Sequence, residues 1–117
     1  MKNHELDTAR AYIVGKTPQG ELLAQLAEEA TELAHAALKL RRAQDGTSPT
    51  PVPQSVAFES LLDKVADVAL LVELLQLDQY EDDIQATMYL KTLRWADRLH
   101  NGKADEVLER AADETRY

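Results

Sequence analysis

The chain has 117 residues, a net charge of −8 and no cysteine. This length suffices for one domain with one modest core, and the lack of cysteine excludes disulfides and thiol chemistry. The acidic balance argues against a nucleic-acid-binding surface and against docking on anionic membranes. The start of the chain is polar and no apolar run reaches membrane-spanning length, so we expect a cytoplasmic protein.

Alanine and leucine dominate the apolar residues, and both favour helix, so the sequence predicts an all-α fold. A short first helix is expected over residues 6–14, ending at Gly15. Thr17 then resembles an N-cap with Pro18 at the first helical position, which predicts a long second helix over 18–43.

Asp45 and Gly46 form the stop signal of that second helix, and three prolines within residues 49–53 predict a stiff loop. A third helix is expected from Gln54 or Ser55 to residue 77. Asp78-x-x-Glu81 resembles a capping box that opens a fourth helix, ending near residue 100. A stop at 101–102 and a last short helix over 104–112 follow. Neither side of the loop alone buries enough surface, so residues 1–117 are expected to form one domain.

Two groups of carboxylates lie inside the most apolar stretches of the chain. On the second helix, Glu29 falls on the same stripe as Leu26 and Leu33, and Glu32 is its i+3 neighbour. Glu28 falls on the polar stripe and is expected to face outward or line a rim. A carboxylate at a core-facing position costs on the order of several kcal/mol unless a cation pairs with it. The pattern therefore predicts a cationic partner for Glu29 and Glu32.

The third helix repeats this pattern at Asp67, which opens the apolar segment 68–75 and has Lys64 one turn before it. One interpretation is structural: Lys64 pairs with Asp67, and Lys39, Arg41 or Arg42 pairs with the glutamates. The other interpretation is a metal site. Glu29, Glu32 and Asp67 would converge on Mg²⁺, which prefers oxygen ligands and is often held by carboxylates that face into a helical bundle.

The Glu-Glu-x-x-Glu motif within residues 26–34, followed by Asp63-Lys-Val-Ala-Asp-Val, resembles the MazG-like all-α nucleoside triphosphate pyrophosphohydrolases. That family carries Glu-Glu-x-x-Glu on one helix and Glu-x-x-Asp on the next. The chain is similar to short, phage-type members in particular, which share a run like residues 37–52 and a later Lys-x-x-Arg-Trp-x-x-Arg-Leu, here 91–99. The resemblance covers about residues 22–99.

This resemblance implies a bundle of four to five helices that assembles as a homodimer or homotetramer. It also implies hydrolysis of a nucleoside triphosphate to the monophosphate and pyrophosphate, with Mg²⁺ or Mn²⁺ as cofactor. The metal ligands implied are Glu29, Glu32 and Asp67. Glu28 would belong to the motif as a water-positioning carboxylate.

The chain departs from the family pattern at Lys64, which stands where the second motif has glutamate and cannot bind a metal while protonated. Asp63 is the candidate fourth ligand, but it points about 100° away around the helix. Two functions therefore stay open beside a purely structural oligomer. One is the hydrolase, and the other is a catalytically impaired relative that binds a nucleotide or protein partner without turnover.

Cationic and aromatic side chains supply the candidate contacts to substrate. The candidate phosphate contacts are Lys39, Arg42, Lys64, Lys91 and Arg94. The alternative for each of them is an ordinary surface charge, which is the more common role of such a residue. Trp95 could stack on a base, or it could belong to the core or to a dimer interface.

Overall fold

The computed structural model describes residues 3–47 and 52–101, and within these ranges it contains helices and no strand. The prediction of an all-α fold is confirmed. The elements in chain order are α1 (His4–Lys16), α2 (Gln19–Asp45), α3 (Gln54–Leu74), the short 3-10 helix η1 (Leu77–Tyr80) and α4 (Glu81–Asn101). The predicted last helix over 104–112, the stop at residue 102 and most of the proline-rich loop lie outside the described residues.

The chain divides into two compact units, Met1–Asp78 and Gln79–Tyr117. The first unit contains α1, α2 and α3, with α2 and α3 as its main packed pair. The second unit is described through α4, whose side chains are exposed except for the half-buried Ala96. Among the described helices, none combines the length and the apolar character that a membrane crossing requires.

The core of the first unit lies where the start of α2 meets the end of α3. Leu22 packs there with Leu71, Leu74 and Leu75, and these four side chains are all buried. Leu22, early in α2, contacts residues late in α3, while Glu32, further along α2, contacts the earlier residue Lys64. The two helices therefore run antiparallel. This pairing carries the apolar stripe of α2 along the apolar face of α3, and it brings the polar residues in the middle of both stripes to the same level.

The first helix closes one end of this pair through a charge contact and an apolar contact. Arg10 of α1 lies 2.8 Å from the carboxylate of Glu73 on α3, and Val14 packs against the leucine core. At the start of α1, the side chain of Asn3 accepts a hydrogen bond from the backbone N–H of Leu6 at 3.2 Å. The cap accounts for a helix that begins at His4, and the packing of Val14 supports its continuation to Lys16, beyond the predicted end.

The start of α2 differs by one residue from the prediction. Pro18, and not Thr17, occupies the cap position, and the helix begins at Gln19. The carbonyl of Pro18 accepts hydrogen bonds from the backbone N–H groups of Glu21 and Leu22, at 3.0 and 3.2 Å. Proline is compatible with the cap position, because the residue there accepts hydrogen bonds through its carbonyl and does not have to donate one through a backbone N–H.

The predicted stop signal of α2 is confirmed. Gly46 has a left-handed backbone (φ 73°), a conformation that glycine adopts without steric cost. The carboxylate of Asp45 accepts hydrogen bonds from the hydroxyl and the backbone N–H of Thr47, at 2.6 and 3.0 Å. These bonds to Thr47 lower the pKa of Asp45. The chain is thereby turned out of the helix before the loop.

The end of α3 was predicted wrongly. The helix ends at Leu74 and not at residue 77, and Asp78 lies inside η1 instead of capping α4. The backbone N–H of Gln76 bonds the carbonyl of Glu73 at 2.9 Å, and Gln76 then adopts a positive φ of 59°. This turn lets Leu77 pack back against the leucine core, so tertiary packing and not local propensity ends the helix.

Candidate functional site

Lys64 lies at the centre of a group of carboxylates between α2 and α3. Its Nζ is 2.8 Å from Oε1 of Glu32 on α2. On its own helix, the same atom is 3.7 Å from Asp67 and 3.9 Å from Asp63. The Lys64 side chain is only 27% exposed. We call Glu29, Glu32, Lys64 and Asp67 the carboxylate cluster.

The hydrogen bond to Glu32 is the largest cause of a raised pKa at Lys64, and the negative charges of Glu32, Asp67 and Asp63 add to it against the opposing effect of burial. Lys64 is therefore held as a cation. The structural interpretation of the sequence is correct that Lys64 contacts Asp67. It is wrong about Glu32, whose partner is Lys64 and not a basic residue of α2.

Glu29 is a half-buried carboxylate of the cluster. Its Oε1 accepts a hydrogen bond from Gln25 at 3.0 Å. Its Oε2 is buried and, among the residues that the structure describes, has no hydrogen-bond donor. Burial is the main cause of a raised pKa at Glu29, and the bond from Gln25 opposes it. The charges of Glu32 and Asp67 and a hydrogen bond shared with Asp67 raise the pKa further. Glu29 thus favours its protonated form more than an ordinary glutamate does.

Gln25 is the contact that sequence reasoning missed. It lies on the polar stripe of α2, and only its spacing of four residues from Glu29 signals the bond. Glu28 is exposed, as expected for a residue on the outer face. Asp63 stands at the rim with a side chain that is 72% exposed.

The other predicted site residues lie apart from the carboxylate cluster along the chain. Lys39 is exposed on α2 about two turns beyond Glu32, and Arg42 is exposed a further turn on. The remaining candidates belong to α4 in the second unit, where all of them are exposed: Lys91, Arg94 and Trp95. The cluster in the first unit is thus built from Glu29, Glu32, Lys64 and Asp67 alone.

The chemistry of the cluster suits a hard cation, since Mg²⁺ takes carboxylate oxygens. The positions of these side chains do not suit such a cation. Across residues 3–47 and 52–101, no three side chains of His, Cys, Asp or Glu are placed to hold a metal ion. The ammonium group of Lys64 contacts Glu32 and Asp67 instead. As it stands, the cluster fits an ammonium group and not a divalent cation.

No protein-family model, no curated protein and no solved structure matches this chain. The fold and the site define an all-α protein in which a lysine-centred carboxylate cluster lies between two antiparallel helices. The resemblance to the MazG-like family therefore depends on the sequence motifs.

The raised pKa of Glu29 makes a prediction about stability and pH. The folded chain holds the proton of Glu29 more tightly than the unfolded chain, in which the ordinary value is 4.5. Stability therefore falls as the pH rises from that value through the raised pKa. Glu29→Gln, which cannot ionise, is expected to unfold at higher urea concentration than the wild type near pH 7, and the difference should shrink near pH 4.

Glu28→Gln is the matched control for this measurement, because Glu28 is the preceding residue and is exposed. Its urea midpoint should follow that of the wild type at both pH values. A gain in Glu28→Gln equal to that in Glu29→Gln would show that a general loss of negative charge, and not the burial of Glu29, explains the effect.

Proposed function

We propose that this protein is a nucleotide pyrophosphohydrolase, which hydrolyses a nucleoside triphosphate to the monophosphate and pyrophosphate. The supporting observation is that the carboxylates of Glu29, Glu32 and Asp67 come together from two antiparallel helices, with Oε2 of Glu29 buried and unbonded within the described residues. The motifs shared with the MazG-like family assign the metal to these three residues. Mg²⁺, or Mn²⁺ in its place, is the cofactor of this proposal, and Lys64 must leave Glu32 before a cation binds there.

The side chains of the cluster have roles that do not depend on the metal geometry. Glu28 at the rim would orient the attacking water. Lys64, once released from Glu32, would contact a phosphate oxygen, with Lys39 and Arg42 as further phosphate contacts. Catalysis would then consist mainly of positioning and electrostatic stabilisation.

A second candidate function is a relative without turnover that binds a nucleotide or a protein partner. The ion pair between Lys64 and Glu32, at 2.8 Å, favours it. An ammonium group at this place lowers the negative charge available to hold a divalent cation. Whether Lys64 stays on Glu32 or leaves it therefore distinguishes the relative without turnover from the hydrolase.

The test is to incubate the full chain with a panel of nucleoside triphosphates and Mg²⁺ and to follow monophosphate and pyrophosphate. Release of both products from at least one nucleotide is the expected result. Thermal stabilisation by a nucleotide without turnover would support the second candidate instead. A chain that neither turns over nor is stabilised by any nucleotide would rule out the hydrolase and the nucleotide-binding relative, and would leave the protein-binding relative or the structural oligomer.

We also propose that the chain assembles as a homodimer or homotetramer. The support comes from α4, where Ile84, Met88, Trp95 and Leu99 are exposed and fall on one face at helical spacing. A helix of 21 residues gains most of its stability from packing an apolar face, so we propose that a second copy packs against this face. Light scattering on the purified protein is expected to give two or four times the chain mass of 13.1 kDa. The proposed setting is the cytoplasm, without a nucleic-acid or membrane partner.

A further inference from the structure

Lys64 joins α2 to α3 through charge. Its Nζ contacts Glu32 of α2 at 2.8 Å, while Asp67 and Asp63 of α3 lie at 3.7 and 3.9 Å. A divalent cation bridging carboxylates of two helices would form the same kind of link. We infer that Lys64 supplies, from within the chain, the positive charge that the carboxylate cluster would otherwise take from a bound divalent cation.

The contact distances make the two cations alternatives. Mg²⁺ binds a carboxylate oxygen at about 2.0–2.1 Å, and the ammonium group of Lys64 already lies 2.8 Å from Oε1 of Glu32. Two positive charges on the same oxygen repel each other strongly in a partly buried site. A divalent cation can therefore bind this oxygen of Glu32 only after Lys64 has moved away.

Removing the ammonium group changes the charge of the cluster. With Lys64 present, Glu32 and Asp67 contact its ammonium group, and their charges act on the neighbouring Glu29; without it, these three carboxylates face one another. Gln25, which bonds Glu29, is neutral, and Asp63 at the rim adds a further negative charge. Carboxylates without a cation repel one another and destabilise the helix pair. The wild-type chain should therefore be stable without metal, and a chain without the Lys64 charge should depend on one.

This inference concerns how the cluster is neutralised, and it does not depend on hydrolysis of a nucleotide. The experiment is thermal unfolding of the full chain without nucleotide, first in a chelator and then in Mg²⁺ or Mn²⁺. We compare the wild type with Lys64→Met, which removes the charge and keeps most of the apolar stem. Lys16→Met is the control, since Lys16 lies over the ring of Tyr12 at 5.7 Å and is not part of the cluster.

Lys64→Met is expected to melt at a lower temperature than the wild type in the chelator. Mn²⁺ at about 100 times its dissociation constant should raise that melting temperature by about 10 °C. The wild type and Lys16→Met should not respond to either cation. Lys64→Arg, which keeps the charge, should behave as the wild type does.

A wild type stabilised by Mn²⁺ as much as Lys64→Met would overturn the inference, and so would a Lys64→Met chain that is insensitive to both cations. If Lys64→Met does not fold in the chelator, folding on addition of Mn²⁺ supports the inference. Electron paramagnetic resonance measures Mn²⁺ binding to the wild type directly, again without nucleotide. This measurement tests the inference whether or not Lys64→Met folds. Saturable binding that Glu29→Gln abolishes would show that Lys64 does not neutralise the cluster.

Discussion

Glu32→Gln is expected to lower the rate of the proposed nucleotide hydrolysis by more than about 100-fold, because changes to groups that merely support metal ligands already cost about 10–100-fold. Glu32 is the carboxylate that contacts Lys64 across the two helices. The amide keeps the size of the side chain and removes the charge that now pairs with Lys64 and that would hold a metal in the proposed reaction. The measurement is pyrophosphate release at saturating nucleotide, with the wild type assayed in parallel.

Glu59→Gln is the matched control, since Glu59 is exposed on α3 and the change is chemically the same. This variant should turn over nucleotide as the wild type does, and thermal unfolding should show that both variants are folded. Hydrolysis by Glu32→Gln within about threefold of the wild type would place the active site elsewhere in the chain. Such a result would be consistent with the proposed reaction but would show that the carboxylate cluster does not catalyse it.

Leu74→Ala is expected to lower the free energy of unfolding by about 2–5 kcal/mol, the usual range when a buried leucine is truncated. Leu74 is 6% exposed and packs with Leu22, Leu71 and Leu75 in the core between α2 and α3. Truncation removes apolar contacts and leaves a cavity that the helices fill only in part. Urea denaturation of the variant and the wild type measures the difference.

Leu70→Ala separates the effect of burial from any general effect of replacing a leucine of α3 by alanine, which is itself the better helix former. Leu70 lies on the same helix but is 41% exposed, so its truncation should cost no more than about 0.5 kcal/mol. Equal losses for the two variants would contradict the packing described for α3, because the exposed and buried faces of the helix would then contribute alike.

The helical framework could largely be predicted from the sequence. The apolar stripe of α2 and the stop at Gly46 are local signals, and they place that helix to within two residues of its bounds. The end of α3 could not be predicted in this way. Leucines continue through Leu75 and Leu77, and only the packing of Leu77 on the core shows that the chain turns at Gln76.

The sequence indicates which residues belong to the carboxylate cluster, but it does not indicate which of them pair with each other. Stripe positions alone bring Glu29 and Glu32 toward the other helices, and they place Lys64 beside Asp67. Lys64 nonetheless lies closer to Glu32, at 2.8 Å, than to Asp67, at 3.7 Å. That preference depends on how far α3 is displaced along α2, which is set by packing between helices and leaves no local signal in either.

The bridge between Lys64 and Glu32 also bears on alignment of the two helices. Leucines and alanines along the rest of the interface are similar enough in chemistry to tolerate displacement of α3 along α2. A displacement by one turn, about 5.4 Å, would leave the ammonium group and the carboxylate inside the interface without each other. A single polar pair in an apolar helix interface can fix the register of helices in this way. The charge halfway along the pair thus selects one alignment among several that the apolar contacts alone would allow.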